Sequence, residues 1–335
     1  MAITAKELAK KLNLSATAVS MALNNKPGVS TETRRQVIEA AQRYGYDFTR
    51  IREKAARNLQ ICVVAYKVSN AILSYTPVFD EIMDGIQNEC GRQHIRITYR
   101  AFLAQQGDMD ELLGDIRASG ADGVLLIASE MDDASCRKFD ALKKPIILLD
   151  NDFISPHFPC VCIDNEQGAY DAVSYLIESR GSQPGYLQSS YPLNNFTARA
   201  DGFRRALQDH GMSEKASVRH LLPPTLEGAC MEMAGLLEAG VPLAGCYFAD
   251  NDLIALGAMK SFKKCGYKIP DDIAVAGFDN IAAARVAEPS LTTVGIPRSF
   301  MGELAVRNLV AMIGNRQNIV TKTLVSASLV RRFSA

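Results

Sequence analysis

Apolar positions in the first 45 residues recur at helical spacing in three short runs. Leu8, Leu12, Leu14, Val19 and Leu23, joined by Ala5, Ala9, Ala18 and Ala22, predict two amphipathic helices broken near Asn13. Val37, Ile38, Ala41 and Tyr44 give a third helix, over residues 30–44, the apolar face that covers them. Thr4 followed by Glu7 reads as a capping box, Ser15 is placed to cap the second helix, and Asn24-Asn25-Lys26-Pro27-Gly28 is a turn signal. Two short helices about a tight turn are a helix-turn-helix, with capped N-termini open to an anion such as a DNA phosphate. The same pattern fits a helical hairpin that binds nothing.

From Ile61 the period changes. Strand-like runs at 61–66, 95–101, 123–128 and 145–150 alternate with helical runs near 77–93, 107–119 and 132–142. A second series begins at Cys160 with CVCID and continues through a helix to Glu178, GYLQS, a helix over 194–210, a strand near Val218, a helix near 226–239, GCYFA, a helix over 252–267 and IAVAGFD. Such alternation is that of parallel sheets covered by helices, and two open sheets imply two lobes.

Length and composition sharpen this picture. A chain of 335 residues with 47% hydrophobic content suits a small head and a large body. The net charge is zero, yet residues 1–60 hold eleven lysines and arginines against five acidic residues, so the head carries +6 and the rest −6. That asymmetry favours a polyanionic partner for the head alone. The sequence opens without a basic-then-apolar leader and has no apolar run of about 18 residues, so a cytoplasmic protein is expected. The eight cysteines include no CxxC; Cys160 and Cys162 lie in an apolar stretch, which points to reduced core cysteines and no metal site.

The head sequence ELAKKLNLSATAVSMALNNKPGVSTETRRQVIEAAQRYGY resembles the DNA-binding head of the LacI/GalR family of bacterial transcriptional repressors nearly position for position. The likeness runs along the body through DNEQGA (164–169), ARADGFRRAL (198–207), ADNDLIALGAM (249–259), IPDDIAVAGFDN (269–280) and PSLTTVGIP (289–297). It implies a small all-α helix-turn-helix head followed by an α/β body of two lobes, like a type I periplasmic binding protein, with two parallel doubly wound sheets. The expected divisions are a head over 1–46, a hinge over 47–60 and an effector-binding and dimerisation body over 61–335. Within the body, the first lobe takes about 61–160 plus 296–322 and the second about 163–290 plus 324–335, with three crossings and the last helix returning to the first lobe.

By the same resemblance the second helix enters the major groove. Ala16, Thr17 and Met21 would then face base edges, while Thr4, Ser15, Asn24, Ser30 and Thr33 match positions that hold phosphates. In the family the linker becomes a hinge helix that wedges a leucine into the minor groove. Here Ala55 stands at that position, Phe48-Thr49 replaces the usual Pro-Asn start, and the linker is about two residues short, leaving Leu59 almost on the first strand. Without a wedge, dimer contacts or Arg50, Arg52 and Arg57 on phosphates carry more of the affinity. A flexible charged linker is the alternative.

In open parallel sheets ligands bind beyond the carboxyl ends of the strands, which selects Ser69, Ser129, Asp150, Ser189, Asn251 and Asp279. Resemblance matches Arg199, Asn195, Asn251, Asp279 and Asp150 to effector-contacting positions, with Phe79 and Tyr191 as walls. Asp279 and the Asn251-Asp252 pair have a second reading as helix caps. Pro223 stands where some relatives stack an aromatic on the ligand, a place Tyr75 can take instead. Several carboxylates with one matched arginine suggest a neutral, hydroxyl-rich effector such as a carbohydrate. No cofactor is implied.

The function so implied is a sequence-specific DNA-binding regulator, a repressor, whose operator affinity is set by a small molecule between the lobes. It is expected to act as a homodimer on a pseudopalindromic double-stranded operator, since no leucine heptads follow the last strand-like run. The alternatives are a sugar-binding transport component and a DNA-binding protein without effector response. GxGxxG, P-loop and GxSxG motifs are lacking, so an enzyme is not expected. Met21 generates a test. An apolar tip contacts a thymine methyl but cannot make the bidentate bond to guanine, so Met21→Arg should shift operator preference toward guanine at the facing step. Selection from a randomised operator library reads this out, and an unchanged preference refutes it.

Overall fold

The computed structural model describes residues 3–24, 28–46, 59–68, 78–153, 158–314 and 319–335. The chain divides into two compact units, one of residues 1–59 with 91–96 and one of residues 60–90 with 97–335. In the head, α1 (Ala5–Leu12), α2 (Ala16–Leu23) and α3 (Thr31–Arg43) close over Leu8, Ala9, Val19, Ala22, Val37, Ala40 and Ala41. Each helix starts on a hydroxyl cap. Thr4 and Glu7 bond reciprocally as a capping box, Ser15 accepts from the Ala18 amide at 3.0 Å, and Ser30 accepts from the Thr33 amide at 3.1 Å. Asn13, in the left-handed region at φ 51°, turns the chain from α1 toward α2, as an amide side chain tolerates.

The body carries two sheets. The first has strand order β11-β5-β4-β3-β1-β2, with β1 (Gln60–Lys67), β2 (Arg96–Leu103), β3 (Gly123–Ile127), β4 (Ile146–Leu149), β5 (Cys160–Ile163) and β11 (Lys322–Val325). The second has β6 (Gly185–Ser189), β7 (Arg219–Leu222), β8 (Cys246–Ala249) and β9 (Ala274–Ala276) in the order β7-β6-β8-β9, all parallel. A short antiparallel pair, β10 (Thr293–Gly295) with β12 (Ser328–Val330), runs beside β9. The helices between them are α4 (Val78–Gln93), α5 (Met109–Ala118), α6 (Asp133–Lys138), α7 (Asn165–Arg180), α8 (Asn194–Asp209), α9 (Leu226–Glu238), α10 (Asp252–Lys264), α11 (Ala282–Val286) and α12 (Arg298–Gly314).

Both central sheets are apolar on both faces, as buried parallel strands must be. In the first lobe Val64, Leu126 and Leu148 meet Ile116 and Phe139, while α12 packs across β3, β4 and β5 on the other face. In the second lobe Tyr247, Ile254, Phe262 and Val275 share one core, and Tyr186 stacks on Phe203 at 4.7 Å on the opposite side.

Two strands part company with the expected division. CVCID reads as the opening of the second series, but Cys160–Ile163 pairs with β4 and β11 in the first sheet, so the chain crosses only after Ile163. The third crossing likewise follows Val325. A fully buried strand has the same apolar pattern in either sheet, and only its partners decide the lobe. The helical run at 132–142 also ends early: α6 stops at Lys138 and a 3-10 turn covers Phe139–Leu142.

Helices α4 and α12 touch backbone to backbone. A Cβ on Gly85 would lie 1.9 Å from the Ser299 carbonyl oxygen, and one on Gly302 would lie 2.3 Å from that of Ile82. Both obstacles are backbone, so neither can give way cheaply. Gly85→Ala and Gly302→Ala should each cost at least about 1–3 kcal/mol by overpacking. Gly114→Ala, on α5 with open space beyond its Cα, should stabilise by about 0.5–1 kcal/mol. Urea unfolding of the three variants measures both signs.

Candidate functional site

Polar residues gather where the central strands end. Asp150 follows β4 in the left-handed region at φ 62°, and its carboxylate accepts from Ser129 Oγ at 2.5 Å. Arg199, one full turn into α8, is 3% exposed and has a partner at every nitrogen. Its Nε donates to Asn165 Oδ1 at 2.9 Å, Nη1 to the Asp250 carbonyl, and Nη2 to Asp279 Oδ1 at 3.3 Å. The guanidinium face lies 3.8 Å from the centre of the Phe278 ring, so stacking completes its desolvated environment.

Asparagines at the start of α8 reach from the second lobe into the first. Asn195 Nδ2 donates to the Asp150 carbonyl at 3.1 Å and to its carboxylate at 3.2 Å, while its Oδ1 accepts from Asn165 at 3.1 Å. Asn194 Nδ2 donates to Asn151 Oδ1 at 3.0 Å and to the Asp152 carbonyl at 3.1 Å. A fourth contribution comes from Arg298, the first residue of α12. Its Nη1 donates to the Asp279 carbonyl at 2.8 Å and to Glu81 on α4 at 3.3 Å. One carboxylate, Asp279, therefore stands between two buried guanidiniums.

The three residues after β8 have different tasks. Asp250 accepts from Tyr186 Oη at 2.5 Å and the Ser189 amide at 2.6 Å, which ties the ends of β6 and β8. Asn251 caps α10 through the Ile254 amide at 2.8 Å. Asp252 accepts from the Ile281 amide at 2.9 Å and Thr293 Oγ1 at 2.5 Å, clamping the Asp279 loop to β10.

Among the residues selected from sequence, the structure brings together Ser129, Asp150, Asn195, Arg199 and Asp279. Asn251 serves the helix, and Asp279 pairs with arginines where α11 starts without a side-chain cap. Ser189 is engaged in its own turn, exchanging bonds with the Tyr191 backbone at 3.0 and 3.1 Å. Phe79 lies 5.7 Å from Tyr99 on β2 and beneath Lys67. Ser69, Tyr75, Arg50, Arg52, Ala55 and Arg57 lie outside the described residues. In the head, Thr4, Ser15, Ala16, Thr17, Asn24 and Ser30 are exposed, and Thr33 is half-buried beside the Ser30 hydroxyl. Asn24 turns its amide back to the Ser20 carbonyl at 2.7 Å, and Met21 is half-buried with its sulfur against Gly28. Sequence reasoning missed Asn165, Asn194, Asp250 and Arg298. The first three border strand ends or the helix of Arg199; Arg298 lies shortly beyond β10, but that strand belongs to the antiparallel pair, where the rule for open parallel sheets does not apply.

No helix among the described residues is long and apolar enough to cross a membrane, and no cluster of three or more metal-ligating side chains occurs among them. A helix-turn-helix head joined to a two-lobed body with a polar cleft defines a class: DNA-binding regulators controlled through a ligand-binding body. The comparisons agree. Residues 173–335 match the periplasmic binding protein-like domain. The chain is 30% identical over 322 residues to the HTH-type transcriptional repressor PurR of Mannheimia succiniciproducens, covering 93% of this chain and 92% of the relative. It is 31% identical over 310 residues to the repressor CytR of Escherichia coli K12, covering 91% and 88%. Its fold is similar to that of the regulator CelR in complex with cellobiose, with a TM-score of 0.74 and 24% identity over 99% of this chain and all of that one. The lac repressor dimer bound to operator matches with a TM-score of 0.69 and 19% identity over 100% and 99% of the two chains. The protein belongs to the LacI/GalR family of transcriptional regulators.

Burial pushes the Asp250 carboxyl up to about 6 and that of Asp252 up to about 8, from an ordinary 3.8, with Asp279 adding to the rise at both. The folded state then holds protons that the unfolded chain has released. The stability these neutral groups supply is complete below about pH 4 and is lost as pH rises through their folded values. Wild-type stability should fall between about pH 6 and 8 more steeply than that of Asp252→Asn. Denaturant unfolding across this range measures it, and equal slopes would show Asp252 already ionised in the fold.

Proposed function

We propose that the chain binds a pseudopalindromic double-stranded operator as a homodimer, and that a small hydroxylated metabolite of the carbohydrate class, held in the cleft, sets its affinity. The observation that carries the reading is the polar network drawn from both lobes, in which Asn194 and Asn195 of one lobe hold the Asp150 turn of the other. A ligand that enters this network meets groups whose separation depends on the angle between the lobes. It therefore has different affinity for different lobe arrangements, which is the requirement for control. Ser129, Asp150, Asn195, Arg199 and Asp279 would contact it, with Ser69, Phe79, Tyr191 and Asn251 bordering it.

The DNA-binding unit is residues 1–46 on the linker 47–60. Ala16, Thr17 and Met21 take the base edges, and Thr4, Ser15, Asn24, Ser30, Thr33, Arg50 and Arg52 take the phosphates. The second lobe supports the dimer reading with a groove whose floor is apolar, with Leu226, Leu256, Met259 and Val286, and whose rim carries Lys260, Lys263, Lys264 and Glu288. The protein works in the cytoplasm and catalyses no reaction.

Two measurements test the reading together. A thermal-shift screen against sugars, sugar acids, polyols and nucleosides should find a compound that stabilises the wild type by about 2.7 kcal/mol at 100 times its dissociation constant. Arg199→Ala should abolish that shift. Deleting residues 1–58 should abolish specific DNA binding and leave the shift intact; retention of specific DNA binding by the truncated chain would overturn the assignment of the head.

A further inference from the structure

Arg298 is 2% exposed and occupies the point where the chain has just crossed back into the first lobe. Its Nη1 is fully engaged with the Asp279 carbonyl and Glu81. Its Nη2 lies 3.0 Å from Asp279 Oδ1 with no N–H aimed along that line, and neither Nε nor Nη2 has a hydrogen-bond acceptor among the described residues. These two nitrogens form one edge of the guanidinium, with two N–H bonds side by side. That edge is the one a carboxylate fits through two parallel bonds.

The surroundings do not supply such a carboxylate. Asp279 already serves Arg199 as well, and Glu81, the other counter-charge, is 43% exposed. Arg199 has no comparable vacancy, because Asn165, Asp250 and Asp279 take all three of its nitrogens. Arg298 also acts on Asp150 of its own lobe, since it joins Arg199 in drawing down that carboxyl against the burial that raises it. A buried charged donor edge without acceptors is costly, and a ligand that brings two oxygens to it recovers that cost on binding.

We infer that Arg298 is a specificity-determining residue of the cleft, and that the effector is a sugar acid whose carboxylate takes the Nε and Nη2 edge of Arg298 while its hydroxyls meet Asp150 and Asn195. This rests on the cleft being the effector site and narrows what it holds. One arginine suited a neutral ligand; a second, with donors left over, suits an acidic one.

The test is calorimetric titration of the full chain with D-glucose, D-galactose and D-ribose and with their acids D-gluconate, D-galacturonate and D-ribonate. The proteins are the wild type, Arg298→Lys, Arg298→Met and Arg199→Lys, with circular dichroism to check folding. At least one acid should bind the wild type about ten- to a hundredfold more tightly than its neutral parent. Arg298→Lys, which keeps the charge and loses the paired N–H edge, should lose most of that preference, and Arg298→Met all of it. If the methionine variant does not fold, the wild-type ratio and the lysine variant decide. Neutral sugars that bind as tightly as the acids, or an acid preference unchanged in Arg298→Lys, overturn the inference. Should neutral binding be abolished by Arg199→Lys, the cleft remains the effector site and only the acidic class falls. If no member of either set binds the wild type, both fall.

Discussion

A guanidinium taken out of water costs several kcal/mol unless partners surround it, and Arg199 imposes that requirement on the second lobe. Asn165 at the start of α7, the carbonyl that ends β8, the carboxylate beyond β9 and the ring of Phe278 must all converge on one side chain. The sheet order β7-β6-β8-β9 places the relevant strand ends side by side, and α8 begins close enough for its first turns to face them. Asp279 meets the demand at φ 116°, a conformation that L residues avoid. It is held there from several directions. The Asp279 amide donates to the Val294 carbonyl at 2.9 Å, Asp252 takes the Ile281 amide, and Arg332 donates to Asn280 Oδ1 at 2.5 Å. Strain of this kind persists only where neighbours over-determine it.

The same network makes the lobe angle a chemical variable. Asn195 bonds at once to Asp150 of the first lobe and Asn165 of the second, and Asn194 bonds to the turn that follows Asp150. Arg298 stands on the first lobe and binds Asp279 of the second. Any opening of the lobes breaks bonds on both sides of the cleft, and the donors so released must be satisfied by water or ligand. Packed interfaces of this sort move between discrete arrangements rather than deforming smoothly, so small differences in ligand contact become differences in population.

Local signals were the most legible part of the sequence. Thr4 with Glu7, Ser15 and Ser30 start their helices as their spacing predicts, because capping depends on residues three apart in the chain. The alternation of strands and helices in the body is legible for a similar reason. Partnership is not: Cys160–Ile163 has the burial of any central strand, and nothing in those four residues says which sheet holds it. The site divides the same way. Asp150 and Asp279 stand where strands end and are found by that rule, whereas Arg298 enters through a crossing whose geometry is set by residues far away in sequence. Asn251 meets the strand-end rule too, and yet it is a helix cap, since the rule selects position without knowing what the side chain already binds.

That distinction decides how a polar cleft should be read. Asp250, Asn251 and Asp252 are consecutive, buried and polar, and each is claimed by the protein itself: one ties β6 to β8, one starts α10, one clamps β10 to the Asp279 loop. Their burial shows how much of a cleft's polarity is scaffold. Hydrogen-bonding groups already matched within the protein offer a ligand only an exchange, near neutral in free energy, while an unmatched buried donor offers it a net gain. Ligand chemistry is therefore written less in the list of polar residues facing a cleft than in the few donors and acceptors that remain after the fold has used the rest.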